Sequence, residues 1–468
     1  MRAARALALA GAAAALAGCS FAPPYEPPAV AAASAYREAG PWTPADPAAD
    51  RPRGAWWKMF GDPVLDDLEA RAERANPDLA AAVAAYDQAR AIAAQARTGF
   101  FPLVDVDLSR ARTSPPGGGA NYTDVELSGG FAYEVDLWGR VRNQAAAAGA
   151  RAAASGADLQ SVRLSLQALL ADQYLTLRAL EAQQRLLEDT VAAYARALDL
   201  TERLRAGGAA SGLDLGRAQT QLANARAQAL EVAAQRALTE HAVAVLVGEG
   251  ASTFAVAPAA AELAQPVIPV AAPSVLLQRR PDIVAAERRV AAANAEIGVA
   301  RAAWFPSLGI GGSGGWRTAG GVDLIAAPNR FWTLGPDLAG PLIDGGGRRA
   351  GVRLARARFE AAGADYRATV LDAFRQVEDQ LTLANRLAEQ ATDREAAAAA
   401  AARTEELALI RYREGASGFL DVVTAQTAAL DARRAVIALE ARRLQAAVDL
   451  VRALGGGWDP QASLRQAP

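Results

Sequence analysis

Apolar positions in this chain follow two different periods. Leu177, Leu180, Gln184, Leu187, Val191, Tyr194 and Leu198 recur at alternating steps of three and four, and Val370, Phe374, Val377 and Leu381 do the same. That spacing predicts a coiled-coil seam. The helices that carry it are expected from about Gly139 to Arg205 and from about Gly347 to Arg413. At 1.5 Å per residue each would span ~100 Å, longer than a compact domain requires. Their Ala-rich faces would let neighbours approach closely on both sides, as in a helical tube.

The second period is two. Leu103 to Leu108 alternates polar and apolar from Val104 onward, and a run from Val125 to Ser128 continues through Phe131, Tyr133 and Val135. Thr113-Ser114-Pro115-Pro116-Gly117-Gly118-Gly119 separates them as a loop. Ser307 to Gly312 and Phe331 to Leu338 form a similar pair around a Gly-rich loop. Such alternation with flanking aromatics suits a membrane β-barrel, and it equally suits a soluble hairpin with one wet face. If the strands do cross a membrane, four cannot close a barrel, because the smallest barrels use about eight. Open edges are not tolerated in hydrocarbon, so several chains would have to pool their strands.

The plan occurs twice. Asn76-Pro77-Asp78-Leu79 opens a helical stretch ending in Gly99-Phe100-Phe101-Pro102, and Arg280-Pro281-Asp282-Ile283 opens another ending in Ala303-Trp304-Phe305-Pro306, 204 positions later. Asp136-Leu137-Trp138-Gly139-Arg140 faces Asp344-Gly345-Gly346-Gly347-Arg348. Gly208 to Asp214 faces Gly415 to Asp421 at a spacing of 207. The period is too long for a solenoid and indicates a duplicated domain. Each copy should begin with a helix, Val64 to Thr98 or Pro281 to Ala303. Two strands, a very long helix, a tight Gly-containing turn and a return helix follow. Gly208, Gly415 and Gly418, with Ser211, are expected in those turns.

At the N-terminus Arg2 and Arg5 precede a short apolar run, Ala6 to Ala15, and then Leu16-Ala17-Gly18-Cys19. The run is too short for a membrane span and reads as a signal peptide. The tetrapeptide resembles a bacterial lipobox, which implies a covalent lipid, diacylglycerol and an N-acyl group, on Cys19. Ser20, a residue other than Asp, implies sorting to the outer membrane. Pro-rich residues 20 to about 60 read as an extended lead segment that could run along a larger body. The expected divisions are residues 1–18 as signal peptide, 19–60 as anchored segment, 61–260 and 261–460 as the two copies, and 461–468 as a tail.

Composition narrows the chemistry. Lys and Arg number 49 against 51 Asp and Glu, so no basic excess favours nucleic acid. One His (His241), one Cys and two Met cannot supply a metal cluster, an internal disulfide or a thioether path. No nucleophile–His pairing is visible, and the chain is not expected to be an enzyme or to hold a cofactor. No later stretch reaches the ~18 apolar residues of a membrane helix.

The longest distinctive motif runs from Arg279-Arg280-Pro281-Asp282-Ile283 through Ala302-Ala303-Trp304-Phe305-Pro306. With Tyr133 to Arg140, Pro341 to Gly346 and Leu454-Gly455-Gly456-Gly457-Trp458, it makes the chain resemble the outer-membrane factor family related to TolC, in its NodT-type lipoprotein branch. The resemblance covers about Trp56 to Trp458. It implies an α+β membrane protein and a homotrimeric channel. Three chains would share one twelve-stranded outer-membrane β-barrel continued by a periplasmic α-helical barrel. Implied partners are a periplasmic adaptor, an inner-membrane pump of the RND type and outer-membrane lipid. The implied function is passive export of drugs or other small toxic molecules. A duct for type I protein secretion and a coiled-coil lipoprotein without a pore are the competing readings.

The resemblance also implies a periplasmic gate at the second turn. Arg411 and Tyr412 match the family's tip pair, and Asp421 matches an aspartate that lines the constriction in some members. Three such carboxylates would make an anionic ring. Thr424 and Thr427 stand where some members carry a second acid and an Arg, so the gate is expected to be less charged. Asp214 is the first-copy counterpart of Asp421, and either could instead be a helix-start charge.

Overall fold

A computed structural model describes residues 20–30, 35–38, 54–114, 117, 120–257, 265–266, 280–319 and 323–456. Cys19 and Trp458 lie outside the described residues. Helices α1 (Pro63–Ala75) and α2 (Pro77–Arg97) lead into strands β1 (Leu103–Thr113) and β2 (Tyr122–Val135). Helices α3 (Arg140–Ala206) and α4 (Gly212–Leu246) complete the first copy. The second comprises α5 (Pro281–Ala302), β3 (Ser307–Ala319), β4 (Arg330–Ala339), α6 (Gly347–Arg413) and α7 (Phe419–Ala453). No described helix is long and apolar enough to cross a membrane.

One expected helix is two. The stretch from Val64 to Thr98 breaks at Asn76, because a residue before proline is pushed out of the helical region and Pro77 has no N–H to donate. Asn76 is extended, with ψ 126°. Its Oδ1 accepts from Leu79 N at 2.9 Å, and its Nδ2 donates to the Leu246 carbonyl at 3.0 Å. The second copy repeats this with different chemistry. Arg280 Nη1 donates to the Ala453 carbonyl at 2.9 Å, 207 residues after Leu246. In both copies the residue before the proline satisfies an orphan carbonyl at the end of the return helix.

The 67-residue helices α3 and α6 begin the same way. Asp136 accepts from Val141 N and Arg142 N at 3.0 and 2.9 Å. Asp344 accepts from Gly346 N and Arg348 N at 3.1 and 2.9 Å, and from Arg348 Nε at 2.7 Å. The backbone N–H and the guanidinium of Arg348, with the N–H of Gly346, hold the Asp344 carboxyl down at about 2.

Two compact units are present, and each draws on both copies. One comprises residues 1–30, 84–157 and 284–369, the other 31–83, 158–283 and 370–468, within which only the described residues are considered. In the first unit Ala93 packs on Ala148 and Ala152, small side chains that bring α2 close to α3. In the second unit the expected seam is buried: Leu180 and Leu187 pack on Val232 of α4 and Leu430 of α7. Tyr194 packs on Leu222 and Ala225. Leu187 is fully buried, which contributes roughly 1.5–3 kcal/mol. A polar network crosses the same unit. Arg178 donates to Glu181 at 2.8 Å and to the Tyr174 hydroxyl at 2.7 Å, while Arg236 joins Glu181 to Glu240.

Candidate functional site

The four strands form one antiparallel sheet in the order β1-β2-β3-β4, so β1 and β4 are its edges. Strand alternation and register sort its side chains. Val104 aligns with Phe131, Gly312 and Leu334, and Leu108 aligns with Leu127 and Trp316. That face also carries Val106, Tyr133, Ile310, Trp332 and Leu338. Val106 is 77% exposed and Trp332 79%, so nothing among the described residues covers it. The opposite face carries Asp105, Asp107, Asp124, Glu126, Glu134 and Asp337 among Gly, Ser and Thr. Arg317 bridges two of these acids, at 2.8 Å to Asp124 and 3.6 Å to Glu126. A sheet with an uncovered apolar face, a wet acidic face and two free edges suits pooled strands in a bilayer better than a soluble hairpin.

The two turns between the long and return helices lie in the second unit. Gly208 and Gly415 have φ of +77° and +72°, a backbone form that an L side chain resists. Each turn closes alike: Ala209 N donates to the Leu204 carbonyl, and Ala416 N to the Arg411 carbonyl, both at 2.8 Å.

Beyond that point the turns differ. Ser211 caps α4 in a capping box: its Oγ accepts from Asp214 N at 3.1 Å, and the Asp214 carboxylate accepts from Ser211 N and Oγ at 3.2 and 2.7 Å. Arg217 stands 3.6 Å from the other Asp214 oxygen. Gly418 occupies the same place before α7, with φ −78° and no side chain to cap with. Asp421, the counterpart of Asp214, is therefore exposed, and its carboxylate has no partner among the described residues.

Of the other residues singled out from the sequence, Arg411 is exposed, whereas Tyr412 is buried at 7% exposure. The Tyr412 ring meets Phe419 edge-on at 5.1 Å, its hydroxyl lies 3.4 Å from Thr201 Oγ1, and Ala197, Ala218 and Val422 complete the cluster. Tyr412 thus shapes the turn from inside rather than presenting its ring to solvent, because α3, α4 and α7 close over it. Phe419 and Val422 escaped the sequence reading. Only the apolar pair at the start of α7 hinted at them.

The family model described as outer membrane efflux protein matches residues 69–249 and 272–456. The chain belongs to the outer membrane efflux protein family. It is 31% identical over 459 residues to the toluene efflux pump outer membrane protein TtgC of Pseudomonas putida, covering 95% of this chain and 94% of that protein. It is 33% identical over 464 residues to outer membrane protein OprJ of Pseudomonas aeruginosa, covering 96% and 95%. Among solved structures it is similar to the outer-membrane channel OprN, with TM-score 0.87 and 32% identity over 94% of this chain and all of that one. It is also similar to the open-state MtrE outer membrane channel of Neisseria gonorrhoeae, with TM-score 0.84 and 26% identity over 94% and 98%. This family member is an outer-membrane efflux channel that extends into the periplasm, a transport duct rather than an enzyme.

Proposed function

We propose that the chain is the exit duct of a tripartite efflux pump and works as a homotrimer. The observation that carries this is the four-stranded sheet with one apolar face, one acidic face and two free edges. In hydrocarbon each unpaired edge group costs several kcal/mol, so β1 of one copy pairs with β4 of the next until the ring closes. Three copies give the twelve strands of the family's barrel, with the acidic face toward an aqueous bore. Helices α3 and α6 continue from the strands into the periplasm.

The duct itself performs no chemistry and needs no cofactor. An inner-membrane RND-type pump supplies energy and a periplasmic adaptor docks near the tip turns. The cargo is drugs or other small toxic molecules, in keeping with the toluene and antibiotic efflux named for relatives. Lipid on Cys19 anchors the mature N-terminus. At the gate three Asp421 carboxylates form an anionic ring, with Arg411 beside it and Tyr412 holding the turn. Asp214 is the weaker gate candidate, because the cap occupies its carboxylate.

Purified protein in planar bilayers tests the reading. Cation-selective conductance that shifts toward anions in Asp421→Asn is expected. Absence of conductance in the parent and in Asp421→Ala would overturn the channel, and a native mass other than three chains would overturn the trimer.

A further inference from the structure

Residues 20–25 show no periodicity, yet they are held at almost every step along helix α5. Arg301 Nη1 donates to the Phe21 carbonyl at 3.1 Å, and Asn294 Nδ2 donates to the Pro23 carbonyl at 2.9 Å. The Tyr25 hydroxyl donates to the Glu287 carboxylate. Glu287, Asn294 and Arg301 are spaced by sevens, which places them on one stripe of the helix. Ser20 Oγ donates to Asn143 Oδ1 at 3.0 Å, tying the segment to α3 as well. The Phe21 ring lies flat on Phe305 at 4.8 Å, and Phe305 stacks on Trp138 at 4.7 Å. Trp138 Nε1 in turn donates to the Pro306 carbonyl at 2.8 Å, where α5 passes into β3.

The surface of α5 is shaped for this contact. A Cβ at Gly298 would stand 2.8 Å from the Ala22 Cβ and closer still to Asn143 Nδ2. Only glycine leaves room for the segment there, although glycine weakens a helix interior by roughly 1 kcal/mol relative to alanine.

We propose that residues 20–25 are a docking strap that seats the anchored N-terminus at the foot of the sheet, so that the acyl chains on Cys19 enter the lipid leaflet at a depth fixed relative to the strands. Asn143, Asn294 and Arg301 are its positioning residues, and Phe21 fills the aromatic socket. The proposal rests on the lipid-anchor reading of Cys19. With the strap docked, one residue separates the lipid from a fixed point. With it released, the next tied segment among the described residues is 36–38, where Glu378 accepts from Arg37 N and Glu38 N at 2.8 and 3.0 Å. A free tether of that length has a reach of ~20 Å, comparable with the ~30 Å hydrocarbon core. Acylation alone would then tie the chain to the membrane without setting its height.

The test uses full-length protein carrying Ala22→Cys and a water-soluble maleimide, with the parent lacking that change as background. Labelling should be at least tenfold slower than at an exposed neighbour, Glu26→Cys. Adding Gly298→Ala, which improves helix propensity but fills the strap's space, should raise the Ala22→Cys rate about tenfold. Palmitate incorporation at Cys19 and bilayer conductance should persist. If Gly298→Ala does not yield folded protein, Asn294→Ala with Arg301→Gln should give the same acceleration. Equal rates at positions 22 and 26, or no acceleration in either variant, would overturn the strap. Palmitate missing from the parent, together with a protected Ala22→Cys, would overturn the lipid anchor while supporting the docked segment.

Discussion

Glu69 on α1 is 1% exposed, and neither carboxylate oxygen has a hydrogen-bond partner among the described residues. Its acidic neighbour Glu73 is paired with Arg163 at 2.7 Å. Burial first, then the charges of Glu73 and Asp66, push the Glu69 acid from 4.5 up to about 9. Its contribution to stability is therefore undiminished below the unfolded value of 4.5 and declines as pH rises toward 9, because the fold holds a proton that the unfolded chain has released. At ~1.4 kcal/mol per pH unit, the cost at pH 7 is about 3 kcal/mol per chain. Glu69→Gln removes the titration but keeps the shape and a buried polar group. Thermal unfolding followed by circular dichroism, at pH 5 and pH 8 in one detergent, separates these effects. The variant should gain little or nothing at pH 5 and should be clearly more stable than the parent at pH 8. Parallel pH profiles for the two proteins would refute the argument, since any pH-independent packing effect cancels in the comparison.

Three further outcomes are expected. Gly418→Ser should rebuild at α7 the box that Ser211 makes at α4, adding a few tenths of a kcal/mol and drawing the Asp421 carboxylate into the cap. Bilayer measurements should then show weakened cation selectivity, in the direction of Asp421→Asn. Phe419→Ala empties the buried tip cluster and should cost about 3–5 kcal/mol by unfolding, with a less stable closed state in conductance records. Asn76→Ala removes both the bond to the Leu246 carbonyl and the cap on Leu79, and should destabilise by about 1–3 kcal/mol in the same unfolding assay.

The parts of the fold that are legible in the sequence are those with a period. The seam at Leu177 to Leu198, the alternation from Val104 and the 207-residue repeat specify the long helices, the strands and the paired turns. β1 extends five residues beyond the visible alternation to Thr113, because pairing with β2 continues through Arg110 and Arg112 where side-chain character gives no signal. The break at Asn76 follows from Pro77 but is hidden by the helical residues on either side. At the tip, Ser211 against Gly418 can be read directly, and with it the different states of Asp214 and Asp421. The burial of Tyr412 cannot, because Thr201, Ala197 and Ala218 reach it only through tertiary packing. The strap is invisible for a similar reason: its partners on α5 lie more than 260 residues away, and most of its bonds use backbone carbonyls.

The two free sheet edges have a genetic consequence. A chain unable to pair through β4 would still offer an intact β1 to its neighbours, so it would enter rings and leave them open. In a cell expressing equal amounts of normal and edge-defective chains, roughly one ring in eight would contain normal chains alone if three copies close it. Substitutions that block the β4 edge should therefore behave as dominant, whereas substitutions that prevent export of the chain should be recessive.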